Sequence, residues 1–368
     1  MKFAHPLTLE AVATWLPDGR ETVIEMVAAG RLAIDESQGL GLSAVPVSDL
    51  PAPDMAVLAA QRAFTAAQAD PARIGLVVHA WIYHQGHDFW SPAHYIASRL
   101  GAREALPVGV QQLSNSGSAA LGIAADRLIA DPGLDLALVT TADRFALPGF
   151  DRWSGDYGVV YGDAGTAALL RRADPDQCGG LVLRSLAFVT AAEFEVMYRG
   201  RDGFSPAPRW HSDHVDIRRT KRAYLEMHGG IEEFQVAARE CVHRVLMQAL
   251  SEADIEPDDS RIRYVVLPRL SDSVLNLMYV PVLDGLVKGE VLTLREASGH
   301  LGAGDMLANI AHISGVTSLG FDGIAVIIGG GGGFTWSCAV VQNTGVNLPC
   351  TAARAATLNK DRKGANCE

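Results

Sequence analysis

The chain is short of positive charge, long apolar runs and paired cysteines. Its 31 Lys and Arg are outnumbered by 42 Asp and Glu, giving a net charge of −11. That deficit argues against nucleic acid as a partner, because phosphate contacts need clustered Lys and Arg. No stretch of 18 or more apolar residues occurs, so no membrane span is expected. The opening residues lack the basic and then apolar regions of a secretory signal. Cys178, Cys241, Cys338, Cys350 and Cys367 are scattered, with no CxxC spacing. They read as reduced thiols of a cytoplasmic protein. His84, His87 and His94 include an HxxH spacing, but no Cys or acid cluster completes a ligand set, and no metal is expected.

What is present is enough apolar material for one large core or two fused ones: 48% of 368 residues are hydrophobic. RIGLVVHAWI at Arg73 to Ile82 resembles RIRYVVLPRL at Arg261 to Leu270, and the offset is 261 − 73 = 188. The same offset carries LALVTT from Leu136 onto IAVIIG from Ile324. Both pairs read as buried strands, which predicts a duplicated α/β unit. The boundaries follow: a first half over 1–172, a second over 173–342, and a mobile tail over 343–368. Ile231 to Leu250 carries an apolar stripe at helical spacing. The stretch Arg199 to His228 reads as irregular, part of an inserted cap loop over about 193–228.

Each half also has a glycine-bearing loop before a helix. In QLSNSGSAALGIAADRLIAD, Ser114, Asn115 and Ser116 are good N-cap types, and the helix looks buried all round. Adding 188 to Ser114 gives position 302, two residues from His300 in the second loop. A pseudo-twofold would bring both loops to one cleft. The segment Val326 to Val341, VIIGGGGGFTWSCAVV, ends an apolar strand in five glycines, which present bare backbone N–H groups to a ligand.

With these marks the chain resembles the thiolase superfamily, in its ketoacyl-ACP synthase III-like branch. The resemblance rests on GGGFTW at Gly331 to Trp336, YGDAG at Tyr161 to Gly165, an LPDGR-like opening and the QLSNSG loop. It implies a five-layered αβαβα sandwich of two duplicated halves, usually a homodimer. It also implies a nucleophilic cysteine where Ser114 stands, a His where Arg269 stands and an Asn where His300 stands. The family's coenzyme A segment is not recognisable, and its carrier-docking arginine is Val274 here. Decarboxylative condensation uses that His/Asn pair to stabilise an enolate. Without it, acyl transfer to oxygen or nitrogen becomes the expectation.

On that reading Ser114 attacks a carrier-bound phosphopantetheine thioester, with no bound cofactor. A serine hydroxyl needs a base, and His300 is the candidate, with Asp305 to orient it. The resemblance assigns the oxyanion hole to the backbone N–H groups of Ser114 and Gly332. Phe89, matched to a residue that closes the partner's acyl pocket, joins Trp81, Tyr83, Asn115 and Arg269 as substrate-binding candidates, and the rings hint at an aromatic acyl group. Arg218, Arg219, Lys221 and Arg222 are candidates for docking an acyl carrier protein. The acceptor would be a hydroxyl or amine of a small-molecule natural product of polyketide or antibiotic type. Plainer readings stand beside these: Ser114 as an N-cap, His300 as a surface histidine, Asp305 as a capping acid, Arg269 as a structural ion-pair partner, and the basic cluster as a solvated helix face. Two other functions stay open, a decarboxylative starter-unit ketosynthase and a non-catalytic partner of a carrier or synthase.

Overall fold

The computed structural model describes residues 2–173, 180–210, 212–315 and 319–345. Cys178, Cys350, Cys367 and most of the expected tail lie outside them. The strands are β1 (Lys2–Trp15), β2 (Arg20–Thr22), β3 (Ala44–Pro46), β4 (Ile74–Ala80), β5 (Leu106–Val110), β6 (Leu136–Asp143), β7 (Ala164–Arg172), β8 (Leu181–Thr190), β9 (Ile262–Val266), β10 (Glu290–Leu292), β11 (Ile324–Gly331) and β12 (Thr335–Asn343). All but β2 and β3, which pair with each other, join in a sheet of order β10-β9-β11-β12-β8-β1-β7-β6-β4-β5.

That order repeats from the centre outward. One side runs β1, β7, β6, β4, β5 and the other β8, β12, β11, β9, β10. Each half therefore places its strands as first, fifth, fourth, second and third in chain order, as a duplicated unit must. The strands matched by the 188-residue offset occupy equivalent places: β4 with β9 and β6 with β11. β4 pairs in parallel with both β5 and β6, and its near-continuous apolar run reflects burial on both faces.

Three apolar clusters separate five layers. The central one holds Leu121, Ala124 and Leu128 of helix Ser116–Ala130 against Met306, Leu307 and Ile310 of helix Asp305–Gly315, between the two halves of the sheet. An outer cluster packs the alanine-rich helix Ala52–Ala67 on β1, β6 and β7. The other outer cluster packs helix Glu232–Glu252 on β8 and β12. Its buried Phe234, Ala238, Cys241, Val242, Val245 and Leu246 are the stripe read from the sequence. The architecture is the five-layered αβαβα sandwich.

Two local expectations need correction. Helix Ser116–Ala130 is not buried all round: Ile123, Asp126 and Arg127 are exposed on one face, while Ala124, Ala125 and Leu128 beside them are buried. The stretch 199–228 is not wholly irregular. Asp216 caps a helix over Ile217–His228 by accepting the Arg219 backbone N–H, and helix Val196–Arg199 ends at its start. YGDAG owes its aspartate to a buried fork. The Asp163 carboxylate accepts both ends of the Arg152 guanidinium (2.9 and 3.0 Å) and the backbone N–H groups of Ser48 and Phe145.

Gly117 of the first central helix meets the turn that leads into the second, where an added Cβ would overlap the Ala303 carbonyl oxygen and reach Thr141 Cγ2 at 3.2 Å. Gly117→Ala is expected to destabilise the fold by about 1–3 kcal/mol through overpacking, read by denaturant unfolding.

Candidate active site

Ser114 sits in the turn between β5 and the first central helix. Leu113 before it has φ 47°, a left-handed conformation that costs a non-glycine residue about 1–3 kcal/mol, so the turn must be held from outside. It is. Ser116 Oγ accepts the Gln112 backbone N–H (2.5 Å), and Asn115 Nδ2 donates to Gln112 Oε1 (2.9 Å). Across the fold, Ser337 of β12 donates to Asn115 Oδ1 (2.7 Å). Ser114 is thereby fixed ahead of the positive end of the helix.

His300 arrives from the other half on an equally constrained loop. Its backbone N–H donates to Val160 O and its carbonyl accepts the Gly162 N–H, both at 2.8 Å. Gly299 has φ 58° and lies where a Cβ would meet Val160 O at 2.6 Å; only glycine suits both demands. Gly302, φ 62°, presses on the Asp143 carboxylate, which accepts the Ala303, Ile82 and Tyr83 backbone N–H groups (all 2.9 Å). Burial raises the Asp143 pKa to about 7 despite those three bonds.

Ser114 Oγ lies 2.7 Å from His300 Nε2, and His300 Nδ1 lies 2.7 Å from Asp305 Oδ2. Asp305 accepts two further bonds, from Leu301 N–H at Oδ1 (2.8 Å) and Arg269 N–H at Oδ2 (3.0 Å). Burial works to raise the Asp305 pKa, but the His300 and Arg269 charges and these bonds outweigh it and hold the carboxyl below its ordinary value. An ionised Asp305 places the ring proton on Nδ1, which leaves Nε2 to accept the Ser114 proton. The 2%-exposed His300 is edge-on to the Tyr161 ring, with centroids 5.2 Å apart. Hydroxyl, imidazole and carboxylate form a relay in the arrangement of a nucleophile, its base and the base's orienter.

The relay opens into a pocket of about 410 Å³. Gly330, Gly331 and Gly332 form part of its wall beside Ser114. A Cβ on Gly331 would reach the Ser114 carbonyl carbon at 3.1 Å, so the strand end comes against the nucleophile turn as bare backbone. Tyr157, Tyr198, Phe234, Tyr279, Phe334 and Trp336 supply aromatic faces to the largely apolar wall, beside aliphatic residues such as Leu225 and Met278.

The other sequence candidates are placed differently. Asn115 is 1% exposed and braces the turn from behind, outside the pocket wall. Trp81 stacks on His79 and Tyr83 on Phe145; neither lines the pocket. Phe89, expected at a partner's pocket, is fully exposed and lies outside that of its own chain. Arg269 does not face a ligand. Its guanidinium donates to Asn309 Oδ1 (3.0 Å), Ser298 Oγ (2.6 Å) and Leu294 O, deep in the protein. The basic cluster is not an open cationic face: Arg218 pairs with Glu36, Arg219 with Asp202 and Lys221 with the buried Asp156, while Arg222 contacts the Tyr157 hydroxyl. Lys221 belongs to the pocket wall. Sequence reasoning missed Asp156, Tyr198, Phe234 and Tyr279 as wall residues. Tyr161, Phe334 and Trp336 were within quoted motifs, but no role was assigned to them. Among the described residues no cluster of His, Cys, Asp or Glu could hold a metal ion, and no helix is long and apolar enough to cross a membrane.

Asp305→Asn is expected to lower kcat by about 10²- to 10⁴-fold, since an amide no longer fixes the Nδ1–H tautomer. Steady-state kinetics alongside an unchanged circular dichroism spectrum would check it.

No family model and no curated protein matches the sequence. Solved structures do. ChlB3, an acyltransferase, is 29% identical over 92% of this chain and 98% of its own, with a TM-score of 0.81. The 3-oxoacyl-[acyl-carrier-protein] synthase III of Aquifex aeolicus VF5 is 17% identical over 91% of this chain and 99% of its own, with a TM-score of 0.71. The priming β-ketosynthase of the R1128 polyketide pathway is 19% identical over 93% of this chain and 97% of its own, with a TM-score of 0.70. The chain has the thiolase fold, similar in architecture to the acyltransferase ChlB3 and to ketoacyl-ACP synthase III.

Proposed function

We propose that the enzyme moves an acyl group from a carrier-protein phosphopantetheine thioester, through an acyl-Ser114 intermediate, onto a hydroxyl or amine of a small molecule. The observation that carries this reading is the hydrogen-bonded series Ser114, His300, Asp305 at the pocket, with 2.7 Å at each link. In the first half-reaction His300 Nε2 takes the Ser114 proton as Oγ attacks the thioester carbonyl. The C–S bond breaks and the imidazolium returns the proton to the departing thiol. In the second half-reaction the acceptor gives its proton to His300 and attacks the ester, and Ser114 leaves with that proton restored. The backbone N–H groups of Ser114 and Gly332 are assigned to the developing oxyanion, where such a donor is worth about 10²- to 10³-fold. An acyl carrier protein is named in what the architectural neighbour synthase III makes, which supports a carrier as partner.

Arg269 favours this reading over decarboxylative condensation. That chemistry wants a second neutral donor beside the enolate oxygen. Arg269 stands in the sequence place of that donor, but it is buried outside the pocket and bonded to Asn309 and Ser298.

Incubation with thioester donors should add one acyl mass to the intact protein. Ser114→Ala should abolish that adduct, and an adduct that persists on it would end the acyl-serine reading. His300→Ala should slow acylation by about 10²- to 10⁴-fold, the usual contribution of a positioned general base, measured by mass over time. Release of CO₂ from a malonyl-carrier would instead support the starter-synthase reading.

A further inference from the structure

The pocket wall carries one buried ion pair. Asp156 and Lys221 face each other there, with side chains 1% and 13% exposed. Asp156 is fully engaged. Oδ1 accepts Lys221 and the Tyr157 backbone N–H (2.7 Å), and Oδ2 accepts the Tyr161 hydroxyl (3.0 Å). The Asp156 carbonyl accepts Arg218 Nε (2.8 Å), and Arg218 also pairs with Glu36, so the pair is anchored from outside. Lys221 interacts with Tyr198 as well, its ammonium 5.1 Å from the ring centre. An ammonium has three donors. Asp156 and Tyr198 engage two, which leaves one for whatever fills the pocket.

Such a pair is a poor way to stabilise a wall. Removing two charges from water costs several kcal/mol each, and apolar replacements of buried pairs are often neutral or stabilising. The position relative to the reacting atoms is informative. Tyr161, which donates to Asp156, touches the His300 ring, and Tyr198 packs where a Cβ on Gly332 would fall. The cluster is therefore one tyrosine ring away from the base and one from the proposed oxyanion donor. Phe234, Phe334 and Trp336 in the same wall suit a flat group.

We propose that Lys221, held by Asp156, selects an acyl group, aromatic in kind, that carries an oxygen substituent. The selection rests on the acyl-Ser114 reading and specifies its donor. The substituent oxygen accepts the remaining Lys221 N–H, and no covalent step involves the pair.

The test follows Ser114 acylation by intact mass, without acceptor, using N-acetylcysteamine thioesters of benzoic acid and its monohydroxy isomers. At least one hydroxylated isomer should react about 10- to 100-fold faster than benzoyl, the effect of a hydrogen bond to a charged donor. That ratio should collapse towards one in Lys221→Met and in the Lys221→Met, Asp156→Asn double variant, which leaves no lone buried charge. Equal rates for every donor with the unaltered enzyme would overturn the proposal while leaving acyl-Ser114 intact. A preference that survives both replacements, or that emerges only when an acceptor alcohol is added, would overturn it too. If no donor acylates Ser114, the acyl-serine reading fails and this proposal with it.

Discussion

The Ser114–His300 hydrogen bond depends on how closely two helix starts approach across a pseudo-twofold. Its partners come from different halves of the chain, so nothing local holds them at 2.7 Å. The approach is set by glycine. Gly117 of one central helix lies against the Ala303 carbonyl of the other loop, and Gly331 lies against the Ser114 and Asn115 backbone. Side chains at these places would push the nucleophile away from the base. A displacement of about 1 Å at such a site can cost on the order of 10²-fold in rate. The duplicated sandwich is thus more than a scaffold, because its central contact is also the contact between the proposed nucleophile and its proposed base.

The buried charges near the relay keep that contact in register. Asp305 faces the imidazole on one side and the Arg269 backbone on another, and the Arg269 guanidinium is in turn tied to Asn309 of the same helix. Arg269 reaches His300 only through Asp305. Asp143 ties the Ile82–Tyr83 turn of the first half to Ala303 of the second through backbone N–H groups alone. Because burial raises its pKa to about 7, its folded state prefers the protonated acid. The sign follows: its contribution to stability is fullest below the unfolded carboxyl pKa and declines as pH rises towards about 7.

The frame was legible in the sequence because it repeats. The 188-residue offset marked β4 with β9 and β6 with β11, and it set His300 opposite Ser114 before any coordinates. Aromatic residues were a poorer guide. Trp81 and Tyr83 are near neighbours in sequence and look like a pocket, yet the wall draws on Tyr157, Tyr198, Phe234, Tyr279 and Trp336 from distant segments. No local pattern announces rings that converge only after folding. The basic cluster misled for the same reason. Arg218 and Lys221 look like a solvated run, but their acids, Glu36 and Asp156, stand far away in the chain. Arg269 kept its open choice between structure and substrate until its donors were seen on Asn309 and Ser298.

A serine in this place changes what the surroundings must do. A free hydroxyl is far from ionised at neutral pH, so it requires a base already aligned, and His300 needs Asp305 to hold its tautomer. In the proposed reaction the same imidazole serves four proton transfers: from serine, to the thiol, from the acceptor and back to serine. One base therefore suffices, provided that water does not compete for the ester. An oxygen ester is less reactive than the thioester it came from, which slows transfer to a weak acceptor and lengthens exposure to hydrolysis. The largely apolar wall offers water few hydrogen-bond partners beside such an ester. Polar groups in such a wall carry a desolvation cost, and the Asp156–Lys221 pair offsets it only if the occupant returns a hydrogen bond. The requirement for dryness around an acyl-serine thus makes this buried pair a natural place for donor specificity.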